Sequence, residues 1–266
     1  MKLKMKKYIY ILLFVAMPFG VLAQTADENP EKTTVVTKES GDIAYSEERY
    51  QDAIAIYEEL LALNGPSIEI HYNLGNAYFR NNMVGEAILN YERALKIDPT
   101  DEESKFNLSF AQNYIKDEIP VNDDVFFVRW IKEFVNMAGI TTWSVIAVVS
   151  FVLMLIAITI FIVCKGSVMR KITLTTFFVT LLMTIVANLS AKHIYSLMND
   201  DSYAIVMNEE VNMKSSPDAS GTILLKMHEG RKVRIIDDSL KEWVEVEVDN
   251  GKLIVGWVPV QTIERI

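Results

Sequence analysis

The side chains best suited to catalysis or metal binding are few in this chain and far apart in sequence. The histidines are His71, His193 and His228, the one cysteine is Cys164, and no two of them have the spacing of metal ligands. No serine or cysteine accompanies a histidine in a nucleophilic arrangement, and the sequence has no glycine-rich phosphate loop or Gly-x-Ser-x-Gly motif. The carboxylates are spread along polar stretches rather than paired as an acid and a base. We therefore predict a protein that is not an enzyme and that needs no metal or cofactor.

Charge and hydrophobicity divide the chain into four segments. The 266 residues carry a net charge of −9, although half of them are hydrophobic. Segments 1–23 and 122–199 are apolar and carry +4 and +3, whereas segments 24–121 and 200–266 are polar and carry −11 and −5. Because phosphate contacts need clustered Lys and Arg, this acidic balance excludes a nucleic acid partner.

The N-terminal segment has the pattern of a secretory signal peptide over residues 1–23. Four lysines are followed by an uncharged apolar run, and Val21, Leu22 and Ala23 precede Gln24 with the small residues that signal peptidase requires. The alternative is an uncleaved anchor. In both cases the chain after residue 24 is exported.

Two later runs are long and apolar enough to cross a bilayer. Residues 140–164 and 172–191 contain no charged side chain, and at about 1.5 Å per residue each run can span a hydrocarbon core of about 30 Å. The link 165–171 holds three basic residues and no acid, so the positive-inside rule places it in the cytoplasm. We predict a transmembrane hairpin in the inner (cytoplasmic) membrane, with both acidic segments on the periplasmic side. The alternative is a buried helical hairpin of a soluble protein.

The stretch before the first run, residues 122–138, mixes large apolar with charged side chains. At helical spacing, Phe127, Trp130, Ile131 and Phe134 share one face. This pattern is typical of a helix that lies in the membrane interface. A helix packed on the preceding domain is the alternative.

An internal repeat with a period of 34 residues occupies residues 34–119. Gly41 recurs as Gly75, and Tyr57 recurs as Tyr91. A third copy begins with Phe106-Asn107-Leu108 but is stopped by Pro120, so residues 102–117 are predicted to form a capping helix. The pattern resembles the tetratricopeptide repeat, in which two antiparallel helices form each unit. Two repeats with a capping helix fall short of the three that usually make a stable stack, so a partner, self-association or the membrane is expected to complete the domain.

The resemblance implies a concave groove lined by the first helix of each repeat. Aromatic rings and side-chain amides at these positions suit an extended peptide, because the amides can hydrogen-bond to the peptide backbone and the rings can cover its side chains. The alternative is that rings such as Tyr72 and Phe79 only pack between helices. A carboxylate clamp is rejected, because Asp42 and Glu103 stand where that clamp has neutral or basic residues. The expected groove residues are Lys38, Asp42, Tyr45, Tyr72, Asn73, Asn76, Phe79, Arg80, Asn107 and Phe110.

The C-terminal segment, residues 203–266, changes to the period of β-strands. Val244, Val246 and Val248 alternate with polar residues, and a tight turn at 249–251 follows. Five or six short strands predict a small all-β barrel. The order of its motifs, ending in Gly-Trp-Val-Pro at 256–259, resembles the bacterial SH3 domain. That resemblance would make Trp243 and Trp257 a ligand-stacking surface, but we favour the other reading, in which both tryptophans belong to the core.

The predicted fold class is a multidomain membrane protein that combines an all-α repeat domain, a transmembrane hairpin and an SH3-like barrel. This order of domains resembles the BatE family of Bacteroides aerotolerance proteins. The resemblance implies a non-enzymatic scaffold whose partners are membrane proteins with von Willebrand A domains and a MoxR-type ATPase, with a role in oxygen or stress tolerance. The alternative is a cell-wall accessory in which the SH3-like domain holds peptidoglycan and the repeats recruit a wall enzyme.

Overall fold

The structure is a computed structural model that describes residues 36–117 and 125–266. The predicted signal peptide 1–23 lies outside the described residues. So do residues 34–35 and 118–119 of the predicted repeat domain and residues 122–124 of the predicted interfacial helix.

Two helix pairs and a single helix form the first domain: α1 (Lys38–Ser46) with α2 (Tyr50–Asn64), α3 (Ile68–Arg80) with α4 (Val84–Ile97), and α5 (Glu102–Gln112). The helices approach closely where the sequence repeats glycine. A Cβ on Gly41 would lie 2.4 Å from the Tyr57 ring, and one on Gly75 would lie 2.7 Å from the Tyr91 ring. The 34-residue period therefore reflects the same contact between a glycine and a tyrosine in both helix pairs.

The turn between paired helices also repeats. Glu48 and Asn82, 34 residues apart, have φ angles of 61° and 62°. This left-handed conformation turns the chain back on itself in the same way in both repeats. Asparagine adopts it at low cost, whereas glutamate does not.

Helix α5 is shorter than the helix predicted over residues 102–117, because it ends at Gln112. Tertiary contacts explain the difference. Ile115 packs against the core of the helical domain, and the Asp117 carboxylate accepts hydrogen bonds from the backbone nitrogen of His228 and pairs with its ring nitrogen. The residues after Gln112 thus serve as contacts to the C-terminal domain rather than as another helical turn.

Three helices follow: α6 (Phe126–Val135), α7 (Ile140–Val163) and α8 (Ser167–Met198). Helices α7 and α8 are long and apolar enough to cross a membrane by length and composition. Helix α8 extends beyond the apolar run 172–191 at both ends. The link between the two helices consists of residues 164–166 and is shorter than the predicted link 165–171.

Seven strands form the C-terminal antiparallel sheet: β1 (Tyr203–Val206), β2 (Glu210–Lys214), β3 (Ile223–His228), β4 (Lys232–Asp237), β5 (Trp243–Asp249), β6 (Leu253–Pro259) and β7 (Ile263–Arg265). Their order is β3-β2-β6-β5-β4-β1-β7. The inward residues of β1 to β6 share one core, which includes Val206, Val246 and Val258, so the sheet curls around its own interior. The predicted fold class, a multidomain chain with a helical domain, a long apolar hairpin and a small β domain, is confirmed.

The sheet and the first helical domain share a core across their boundary. Ile205 of β1 is fully buried among residues of the helical domain, and Met207 and Ile266 pack beside it. Lys232 forms an ion pair of 2.7 Å with the nearly buried carboxylate of Glu92, and the Glu229 side chain accepts a hydrogen bond from the backbone nitrogen of Gly85. The helical domain is therefore completed by the chain's own sheet.

Candidate protein-binding groove

The first helices of the repeats, α1, α3 and α5, together form an open groove with two adjoining pockets. Tyr45 and Asn76 line both pockets, whose volumes are about 270 and 330 Å³. Among the residues that line these two pockets, Tyr57 comes from the second helix α2 and Tyr91 from the second helix α4, and the others come from the first helices. Neither pocket is enclosed, so the shape suits a chain that lies along the surface better than a small molecule.

A repeated hydrogen-bond ladder forms the floor of the groove. In the first repeat, Asp42 Oδ1 accepts hydrogen bonds from Tyr57 Oη at 2.6 Å and from Asn73 Nδ2 at 3.1 Å. In the second, Asn76 Oδ1 accepts from Tyr91 Oη at 2.7 Å and from Asn107 Nδ2 at 2.8 Å. The three positions repeat at 34 residues. The ladder joins α1 to α3 and α3 to α5, so these polar groups support the groove before any ligand binds.

The pocket at the α1 end is acidic. Lys38 Nζ lies 2.8 Å from the Asp42 carboxylate and 2.9 Å from the Glu69 carboxylate, so one cation faces two anions. Burial raises the pKa of Asp42, but hydrogen bonds from Lys38 and Tyr57 and the charge of Lys38 outweigh it, and the pKa lies below its ordinary value. Asp42 is therefore ionised at neutral pH, and the pocket disfavours an anionic ligand group.

The other pocket is aromatic. The rings of Phe79, Phe110 and Tyr114 lie with their centroids 5.2 to 5.6 Å apart, in edge or tilted contacts. Phe106 is 71% exposed at the rim of this pocket. The Arg80 guanidinium lies 5.1 Å from the centre of the Tyr50 ring. This end of the groove offers apolar contact area to a partner.

Nine of the ten expected groove residues line the two pockets: Lys38, Asp42, Tyr45, Asn73, Asn76, Phe79, Arg80, Asn107 and Phe110. Tyr72 lines neither pocket; it is partly buried, and its ring centroid lies 6.3 Å from that of Tyr91. Four lining residues were not expected from the sequence. Tyr57 and Tyr91 could have been found from the 34-residue period, Phe106 from its match to Tyr72, and Glu69 from its place one turn before Asn73.

Trp243 and Trp257 lie on the outer face of the sheet. Both are half-buried and neither belongs to the sheet's core, because the inward positions on β5 and β6 are held by residues such as Val244 and Val258. Lys214 Nζ lies 5.6 Å from the centre of the Trp243 ring. The favoured placement of both tryptophans in the core is therefore wrong, because the core-facing positions of these two strands belong to other residues.

The histidines serve separate local roles. Nδ1 of the buried His71 lies 2.9 Å from Asn90 Oδ1, and His228 pairs with Asp117 at the boundary with the sheet. Cys164 ends α7. Within residues 36–117 and 125–266, no group of three His, Cys, Asp or Glu side chains is placed to hold a metal ion.

Comparison with known proteins identifies the repeats. Residues 68–101 match the tetratricopeptide repeat, and residues 41–82 match the TPR repeat. Sperm-associated antigen 1 is 30% identical over 101 residues in Rattus norvegicus and 31% identical over 101 residues in Mus musculus. Each alignment covers 34% of this chain and 11% of the relative, so the chain spans about a tenth of the length of the curated relatives it matches. The predicted tetratricopeptide repeats are confirmed, and such repeats are protein-interaction modules.

Proposed function

We propose that this protein is a non-enzymatic scaffold, anchored in the inner membrane, whose tetratricopeptide repeats bind protein partners on the periplasmic side. The open groove carries this proposal. Its polar floor is already hydrogen-bonded, and its free surface consists of aromatic rings at one end and a net negative pocket at the other. A peptide with apolar side chains and no acidic group facing Asp42 and Glu69 fits this surface.

The boundary between the repeats and the sheet supports the proposed topology. The two domains share buried side chains and the Glu92–Lys232 ion pair, so they must lie on one side of any membrane. Helices α7 and α8, which separate them in sequence, cross twice and return the chain to that side. The basic residues Arg170 and Lys171, near the start of α8, favour the cytoplasm for the link.

The groove is tested by crosslinking in the native membrane followed by identification of the partners. Replacing Phe106 and Phe110 together by alanine should remove those partners, because both rings are exposed in the groove and truncating them changes little of the core. The matched control replaces Ile43 and Leu63, apolar residues of similar exposure that line neither pocket. Equal partner recovery from both double variants would overturn the assignment of the groove.

The topology is tested with a reporter that is active only outside the cytoplasm. Fusion at Ile266 should give an active reporter, and fusion at Gly166, in the link between α7 and α8, should give an inactive one. Activity at Gly166 would contradict the proposed orientation.

We further propose that the partners belong to a Bat-type complex linked to oxygen or stress tolerance, with von Willebrand A domain membrane proteins and a MoxR-type ATPase. The order of domains along the chain supports this choice. The same crosslinking experiment tests it, since proteins of these two classes should be recovered with the wild type and lost with the groove variant.

A second candidate function is peptidoglycan binding by the C-terminal sheet as an SH3-like domain. The outward position of Trp243 and Trp257, on neighbouring strands, favours it because an exposed ring can stack on a ligand. Purified wall sacculi should retain the detergent-solubilised protein, and Trp257→Ala should reduce retention. Failure of the wild type to sediment with sacculi at low salt would contradict this function.

A further inference from the structure

Helix α6 (Phe126–Val135) presents an apolar face that nothing in the described chain covers. Phe126, Phe127, Trp130 and Ile131 are each more than half exposed, and they share one side of the helix with Phe134. Large apolar side chains concentrated on one helix face normally lie against another surface.

The opposite face of α6 is polar and is directed towards the repeats. Arg129, Lys132, Glu133 and Asn136 line a cleft of about 330 Å³ together with Glu102 and Lys105 of α5. This arrangement fixes the rotation of the helix: its charges face the helical domain and its aromatic side chains face away from it.

The apolar face continues directly into the surface of the hairpin. The Phe134 ring lies 5.5 Å from that of Trp143, in the first turn of α7, and Trp143 Nε1 donates a hydrogen bond to Val135 O at 2.9 Å. Phe134 also lines an apolar groove with residues of both hairpin helices, such as Val145 and Leu182. Helix α6 is thus tied to the start of α7, and the two present one uninterrupted apolar surface.

We propose that the apolar face of α6 is embedded in the interfacial layer of the lipid bilayer. This inference rests on the proposed membrane anchoring, because the surface that α6 continues is that of the spanning helices. A lipid surface is the occupant that covers both without a break, and an aromatic helix with a charged opposite face is suited to the boundary between headgroups and acyl chains. Helix α6 then holds the repeats at a fixed height and orientation above the membrane.

The test uses the full-length protein in lipid nanodiscs, with Cys164→Ser removing the native thiol. Single cysteines replace Phe127 and Ile131 on the apolar face, and matched cysteines replace Arg129 and Lys132 on the polar face, where all four positions are exposed. Each carries an environment-sensitive dye, and brominated phospholipids serve as the quencher. We expect quenching at positions 127 and 131 to exceed that at 129 and 132 by about twofold or more.

A fifth site separates this proposal from the membrane anchoring itself. Leu182→Cys places the dye on an exposed position in the middle of α8, where quenching reports a spanning hairpin. Quenching at position 182 with no quenching at 127 and 131 would overturn the inference about α6 and leave the membrane anchoring intact. The same conclusion would follow if the dyes at 127 and 131 were shielded from water but not quenched by the brominated lipid. Absence of quenching at 182 would overturn both.

Discussion

At the residue scale, the turn of the first repeat holds a strained residue, Glu48, whereas the equivalent position of the second repeat holds Asn82. Glu48 and Asn82 occupy equivalent turns and have nearly the same positive φ. The left-handed conformation costs a residue such as glutamate about 1 kcal/mol, and asparagine less. The comparison of the two repeats therefore identifies a site where the sequence is not optimal for stability.

Replacing Glu48 by asparagine should stabilise the protein by about 0.5 to 1 kcal/mol, because it relieves this strain without adding conformational freedom to the unfolded chain. Chemical unfolding followed by helical circular dichroism measures the change. Glu47→Asn is the control, since Glu47 lies in the same turn but is not among the residues with positive φ. A loss of stability in Glu48→Asn relative to that control would contradict the prediction.

His71 makes the helical domain sensitive to mild acid. Burial lowers its pKa, the hydrogen bond to Asn90 raises it in part, and the net result lies below the ordinary value of about 6.5. The unfolded chain therefore binds the proton first as pH falls. This contribution to stability is complete above about pH 6.5 and is lost as pH falls towards the folded pKa.

Replacing His71 by glutamine should remove that component of the pH dependence. Between pH 7.5 and 5.5 the free energy of unfolding of the wild type should fall more steeply than that of His71→Gln. The measurement is chemical unfolding of both proteins at each pH. Parallel curves would show that burial of His71 does not bias its protonation.

At the element scale, the pairing of helices depends on glycines that allow close approach. In α3, a Cβ on Gly75 would meet two atoms of the Tyr91 ring at 2.7 and 2.8 Å. Tyr91 is nearly fully buried and its hydroxyl is bound to Asn76. The ring therefore has little room to move aside.

Gly75→Ala should destabilise the protein by about 1 to 3 kcal/mol through overpacking, although alanine is the better helix former by about 1 kcal/mol. Thermal or chemical unfolding measures the loss. In a Tyr91→Leu background the ring atoms are absent, and the penalty should shrink or reverse. A stabilising Gly75→Ala in the wild-type background would contradict the close helix approach.

At the scale of the whole molecule, two acidic domains meet at a boundary where each supplies cations to the other. Arg93 and Lys96 of α4 pair with Glu264 and Asp201, and Lys232 of β4 pairs with Glu92. The first two pairs have exposed carboxylates, and pairs of that kind contribute little each. The buried side chain of Ile205 and its apolar neighbours supply the main stabilisation of the boundary.

A soluble chain that joins residues 36–117 to residues 200–266 by a flexible linker should therefore unfold in one transition, at a higher temperature than either piece alone. Ile205→Asp should abolish this gain because it buries an unpaired charge between the domains. Circular dichroism and size-exclusion chromatography measure both effects. Ile43→Asp is the control, since Ile43 is exposed; two independent transitions in the parent chain would contradict a shared core.

The local patterns of this protein can be read directly from its amino-acid sequence. The 34-residue recurrence of Gly41 and Tyr57 predicted the repeats, the uncharged runs predicted the long apolar helices, and the valine alternation on β5 predicted the sheet. The sequence also predicted most of the residues that line the two pockets, because first helices of successive repeats place their residues side by side. These features depend on short-range periodicity, which a sequence displays directly.

Features that depend on contacts between distant residues became visible only in the folded protein. Ile205 lies about 90 residues or more along the chain from the helical residues that bury it, so no periodicity predicts that the sheet completes the repeats. The same holds for Asp117, which turns away from α5 to reach His228. In each case the position is set by which surface the side chain buries against, and that surface exists only once the chain has folded.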